Sequence, residues 1–123
     1  MPVWLLPTVA DEPDATLTSW AAYEVQLPGL EGPTLHVAGR VARDGSGRVT
    51  SPLQRVDPAT RSVMTRSGRV YRLGRGRGLS SDAEYVWRRW LELNEAKVLR
   101  EATSSLLEQL AGAAPGSADP SGD

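Results

Sequence analysis

At 123 residues, with 40% apolar and 24% charged side chains, the chain is the size of one domain and leaves no room for a second core. The absence of cysteine excludes disulfides, a thiol nucleophile, thiolate zinc sites and iron–sulfur clusters, and the single histidine, His36, cannot close a metal site by itself. Net charge is −1, yet ten arginines lie between Gly39 and Gly78 against two aspartates, so that stretch carries +8 and the remainder −9.

Residues 1–17 read as an extended arm. Pro2, Pro7 and Pro13 forbid a continuous helix, and Asp11, Glu12 and Asp14 make its second half acidic. Its Trp4-Leu5-Leu6 cluster is expected to dock on the domain or on a partner. The start carries no basic segment of the kind that opens a signal peptide, and no stretch approaches the roughly 20 apolar residues that span a bilayer. A soluble, cytoplasmic protein without membrane contact is expected.

A single domain is expected over residues 18–111. Tyr23, Val25 and Leu27 alternate with Glu24 and Gln26, the period of a half-buried strand. After a turn at 28–33, Leu35, Val37, Gly39 and Val41 share one face, with His36, Ala38 and Arg40 opposite. Asp44-Gly45-Ser46-Gly47 is the strongest hairpin signal. Val49, Ser51 and Leu53 continue the alternation, with Pro52 favouring an edge or a bulge. Asp57-Pro58-Ala59-Thr60 suits a type I turn, and two short strands flank Ser67-Gly68. Short links join antiparallel neighbours, so the pattern predicts a five-stranded antiparallel β-meander.

Ser81 and Glu84 have the spacing of a capping box, and Ala83, Val86, Trp87, Trp90 and Leu91 follow at helical spacing. A second stripe, Val98, Leu99, Ala102, Leu106 and Leu110, runs on to Gly112. One helix over 82–111 would be about 45 Å long, more than such a domain can cover. Either it breaks near Asn94, or its second half projects and builds a homodimer through that stripe. Residues 112–123, rich in Gly, Ala, Pro, Ser and Asp, are expected to be disordered. The fold class is therefore α+β, with the C-terminal helix on one face of the sheet. Tyr23, Val25, Val37, Tyr71, Trp87 and Trp90 form the expected core, with Trp90→Ala as the most damaging single change.

No catalytic constellation emerges. A nucleophile triad would have only His36 as base, and His36 reads as an exposed or half-buried strand residue. Most acids lie in the arm or along the helix, where carboxylates ordinarily face solvent. Neither enzymatic activity, nor a cofactor, nor a metal is expected. Arg66, Arg69, Arg72, Arg75 and Arg77 are the candidate binding residues. Gly74-Arg75-Gly76-Arg77-Gly78 precedes a helix N-terminus, where amides and dipole favour an anion, but it has neither Walker nor dinucleotide spacing. It reads equally as a flexible connection from sheet to helix. The arginines could meet phosphates or an acidic protein groove, or record only the codon usage of a GC-rich genome.

The run Thr65-Arg66-Ser67-Gly68-Arg69-Val70-Tyr71-Arg72-Leu73, followed by Asp82-Ala83-Glu84-Tyr85-Val86-Trp87-Arg88-Arg89-Trp90, resembles small accessory proteins of proteobacterial mobile elements over residues 20–94. The resemblance implies a cargo protein, such as an anti-CRISPR or antirestriction inhibitor of host defence, that occupies a partner's surface. The function expected is thus a small non-enzymatic protein acting by protein–protein contact. The alternative is a nucleic-acid-binding protein that uses its arginines on phosphates.

Overall fold

The structure, a computed structural model, describes residues 14–74 and 78–111. Its longest strand, β1 (Asp14–Gln26), runs through the middle of a seven-stranded sheet. On one side lie β2 (Thr34–Val41) and then β3 (Gly47–Val49), each antiparallel to its neighbour. β4 (Leu53–Asp57), β5 (Ser62–Thr65) and β6 (Val70–Leu73) form two hairpins, and β6 lies parallel to the first part of β1. Helix α1 (Ser81–Leu93) leads to β7 (Lys97–Glu101), antiparallel to the last part of β1, and helix α2 (Thr103–Ala111) follows.

The chain is α+β, but the sheet is not a five-stranded meander. The stretch expected as one strand through Val49, Ser51 and Leu53 is two strands. They stand at opposite ends of the order β3-β2-β1-β6-β5-β4. Pro52 lies in the break between them and has no amide to continue a ladder. From Val49 to Leu53 is four Cα steps, about 15 Å at most. Five strand spacings in a flat sheet would be about 24 Å. The sheet must therefore curl until its two edges approach. That curl also delivers β6 to β1 in parallel, after the long excursion a parallel pair requires.

β1 begins at Asp14, inside the segment read as an arm, and Leu17 is fully buried. Leu17, Trp20 and Ala22 all face the same cluster, although Leu17 and Trp20 are three residues apart. Strict alternation would put them on opposite sides. A bulge between Thr18 and Ala21, with Ser19 at φ +48°, re-phases the strand. Opposite the bulge stands Gly39, where a Cβ would lie 2.9 Å from the Trp20 Cβ. The Trp20 indole donates its Nε1–H to the Gly74 carbonyl over 2.8 Å, while the amides of Gly74 and Gly78 donate to the carbonyls of Leu17 and Trp20. Both described ends of the Gly-Arg connection are thereby tied to the bulge.

The core has two parts. Inside the curl, Leu17, Trp20, Val37, Val41, Val63, Tyr71 and Leu73 pack with Ala102, Leu106 and Leu110. On the other side of β1 and β2, Val25, Ala38, Val49 and Trp87 pack with Tyr23, Val86, Trp90 and Leu91. The expected core thus splits: Val37 and Tyr71 lie in the cluster with α2, whereas Tyr23 and Val25 pack against Trp87 and Trp90 of α1. Trp90 is half-buried, and the fully buried indole is Trp20.

The N-cap of α1 is Ser80 rather than Ser81: its Oγ accepts from the Ala83 amide at 3.2 Å. Glu84 forms no capping box and instead pairs with Arg88 at 3.1 Å. The helix does break at Asn94. Glu95, at φ +50°, takes the left-handed position, and the amides of Glu95 and Ala96 donate to the carbonyls of Glu92 and Leu91. This is a Schellman stop, with Leu91 and Ala96 both in the α1-side cluster. Because the helix stops, the stripe proposed for dimerisation does not exist as one face. Val98 and Leu99 are on β7, and Ala102, Leu106 and Leu110 are buried in the molecule's own core.

Two substitutions check this packing. Trp20→Ala should cost about 3–5 kcal/mol in urea unfolding and exceed the cost of Trp90→Ala. Gly39→Ala, which forces a methyl against the bulge, should cost about 1–3 kcal/mol without changing the unfolding slope.

Candidate functional site

Among the described residues the candidate arginines do not converge. Arg66 is exposed in the β5–β6 turn. Arg69 is only 5% exposed, with Nη1 donating over 3.4 Å to the Tyr71 hydroxyl. Arg72 points outward from β6, in register with Thr16 and Ser62. Arg75 and Arg77 lie outside the described residues, as do Trp4, Leu5 and Leu6 of the arm and the 112–123 tail. Arg48 is also buried. Asp57, across from Ser62, places a carboxylate in the same register row as Arg72. Among the described residues, the arginines of this stretch are therefore dispersed between core, turns and outer strands.

A different surface stands out at the end of β1. Lys97-Val98-Leu99-Arg100-Glu101 is built mainly of good helix formers, yet it is a strand. The Schellman stop turns the chain out of α1, and pairing with β1 does the rest. Gln26, Val25, Glu24 and Tyr23 face Lys97, Val98, Arg100 and Glu101, and Leu99 is the extra, bulged residue. Arg100 donates from Nε to Glu24 Oε1 over 3.0 Å. Beyond the strand, the Ala102 amide donates to the Ala22 carbonyl, and Thr103 Oγ1 accepts from the Ala22 amide while donating to Glu101 Oε2.

All five residues of β7 are exposed, Val98 at 41% and Leu99 at 46%. Among the described residues only β1 pairs with this strand, so its outer edge presents main-chain donors and acceptors. Next to its start, Leu27, Pro28, Leu30, Leu93, Asn94 and Glu95 line an open groove. Gln26 shapes that groove by donating from Nε2 to the carbonyls of Leu27 and Leu30. Val98 and Leu99 were visible as apolar residues, but Lys97, Arg100 and Glu101 carry no strand signal. The stop that creates the strand lacks the glycine that usually announces it.

His36 is a structural residue. It is fully buried, its Nδ1–H donating to the Thr50 carbonyl at 2.8 Å, with Nε2 2.7 Å from Thr34 Oγ1. The reading of it as exposed or half-buried is corrected accordingly. Its ring leans on Trp90 at 4.8 Å, and Trp90 stacks on Trp87, which stacks on Tyr23. Burial holds the imidazole below its ordinary pKa, against the Thr50 hydrogen bond and with the help of Arg66. Burial raises the Tyr23 phenol, and Glu101 and Glu84 add to the shift. Among the described residues, no group of three or more His, Asp or Glu side chains is placed to hold a metal ion, and no helix is long and apolar enough to cross a membrane.

Compared with protein-family models, curated proteins and solved structures, the chain matches none.

The neutral His36 has a measurable consequence. Its stabilising contribution is complete above the unfolded value of about 6.5 and is lost as pH falls below it toward the depressed folded value. Unfolding free energy should therefore decline from pH 7 to about 5 in chemical denaturation, and His36→Gln should flatten that slope.

Proposed function

We propose that the chain is a non-enzymatic binding protein that acts by protein–protein contact, with β7 as its contact strand. One observation carries the reading: a strand of helix-forming residues has all five side chains and its outer edge open. Local preference overridden by tertiary pairing, at a surface position, is what a functional element shows. An open edge accepts another strand through main-chain hydrogen bonds, and flanking apolar side chains supply selectivity. Val98 and Leu99 are such side chains. The resemblance to mobile-element accessory proteins extends the proposal to a bacterial partner belonging to a host-defence system.

Phosphate binding has less support. Counterion release needs cations gathered along one track, and Arg69 and Arg48 are buried while Arg66 and Arg72 stand on a turn and a strand. The test is capture from a nuclease-treated bacterial lysate by the wild type and by Leu99→Lys. Capture should drop at least about tenfold in the variant, which sets a charge at the open edge. Equal capture by both would remove β7 as the contact strand. Salt-sensitive oligonucleotide binding, seen by anisotropy and lost in Arg66→Ala/Arg72→Ala, would move the function to nucleic acid.

A further inference from the structure

We infer that Arg43, Arg48 and Arg69 form a carboxylate-binding site at the end of the curled sheet where β1 begins, and that its occupant is the acidic segment of this same chain just ahead of β1, Asp11-Glu12. Arg69 immediately precedes β6, and its Nη1 donates over 3.4 Å to the hydroxyl of Tyr71 in the enclosed core, so its side chain turns inward. The parallel ladder opens with Asp14 beside Val70, which sets Arg69 one residue ahead of the start of β1. On the other side of β1, the exposed β2–β3 turn that carries Arg43 is tied to the same end, the Ala42 amide donating to the Thr16 carbonyl over 2.9 Å. Arg48 is in register with Gly39, the position that faces Trp20 and Leu17, so it too lies on the inner side. Hydrogen bonds from Ser46 hold the Asp44 carboxyl below its ordinary pKa, and Arg43 and Arg48 add to the effect, which brings both of their charges to this turn.

Burial, reach and sign together select the occupant. Arg48 and Arg69 are 4% and 5% exposed, and a guanidinium keeps its charge even there, so carboxylates and hydrogen bonds rather than bulk water hold it. β1 begins between Arg69 on one side and Arg43 with Arg48 on the other. Asp11 and Glu12 stand three and two residues before Asp14, within about 7–11 Å of extended chain, and Pro13 favours extended backbone at residue 12. Arg43, Arg48, Arg66 and Arg69 outnumber Asp14 and Asp44 at this end of the sheet, and two more carboxylates reduce the excess. A planar guanidinium takes a carboxylate through two parallel hydrogen bonds, which a stretch tethered to β1 can offer at high effective concentration. The acidic segment then plugs the open end of the curl, and these arginines are committed within the chain instead of facing phosphates.

The experiment is a side-chain carboxyl NMR titration of the full chain. Asp11 or Glu12, or both, should titrate at least about one unit below the ordinary values of about 3.9 and 4.3. In Arg48→Gln or Arg69→Gln the depressed carboxyl should move at least about half a unit back up. The wild-type titration needs no variant to fold, so the site stays testable if either substitution unfolds the chain. In Asp11→Asn/Glu12→Gln, hydrogen exchange at the Nε–H of Arg48 and Arg69 should quicken at least about fivefold, while that of Arg100, held by Glu24 at 3.0 Å, stays as it was. Ordinary titration of both carboxyls in the wild type overturns the site. A depression that survives Arg43→Gln, Arg48→Gln and Arg69→Gln alike overturns it as well. Neither result bears on capture through β7, so the two proposals fail separately.

Discussion

Between Val49 and Leu53 the chain steps from one edge of its sheet to the other, and the rest of the architecture follows from that step. Thr50 anchors it. Its amide donates to the Val37 carbonyl, its Oγ1 accepts from the Val37 amide, and its carbonyl accepts from His36. All three groups are buried, so leaving any one unmade would cost about 1–3 kcal/mol. A link this short forces the sheet to curl. The curl encloses Val37, Val63, Tyr71 and Leu73, brings β6 beside β1, and leaves an opening that α2 fills with Leu106 and Leu110.

The curl also explains why β1 needs its bulge. One strand must present Leu17 and Trp20 to the enclosed core, then Tyr23 and Val25 to α1. Perfect alternation cannot serve both demands along 13 residues, and the left-handed Ser19 inserts the change of phase. Gly39 gives the bulged Trp20 room, and the Gly74 carbonyl satisfies its indole. Sequence-distant positions are thereby locked together at one point. The glycines that frame the Gly-Arg connection serve this attachment whatever the arginines between them contact.

Once β6 has taken the first part of β1, the remaining part of the same edge is open, and β7 occupies it. The candidate surface is thus a by-product of strand lengths. β1 is far longer than β6, and the chain spends five residues covering the surplus. What β7 covers on its inner side it exposes again on its outer side. A small domain gains a sheet edge bearing two apolar side chains and two opposite charges at its ends. The dispersed arginines, by contrast, follow strand alternation and turn position, which send neighbours such as Arg69 and Arg72 to opposite sides.

Local order is what could be read along the chain. Alternation around Tyr23–Val25 and Leu35–Val41, the Asp44–Gly47 turn, and the helical spacing of Ala83, Trp87 and Trp90 are all borne out in kind. There, the information lies within one turn of helix or one pleat. The break at Asn94 was one of the two outcomes that the helical spacing left open, since a helix running past it would be longer than the domain can cover, and the structure takes that one. Long-range packing sets which strands are neighbours, places Val49 and Leu53 at opposite edges, buries His36, and makes 97–101 a strand. Those outcomes depend on hydrogen bonds between residues far apart in the chain. Their energy is felt only when the sheet has closed on itself, so local pattern carries no trace of it. Lys97–Glu101 is the clearest instance: its residues prefer a helix, and a free stretch of β1 made them a strand.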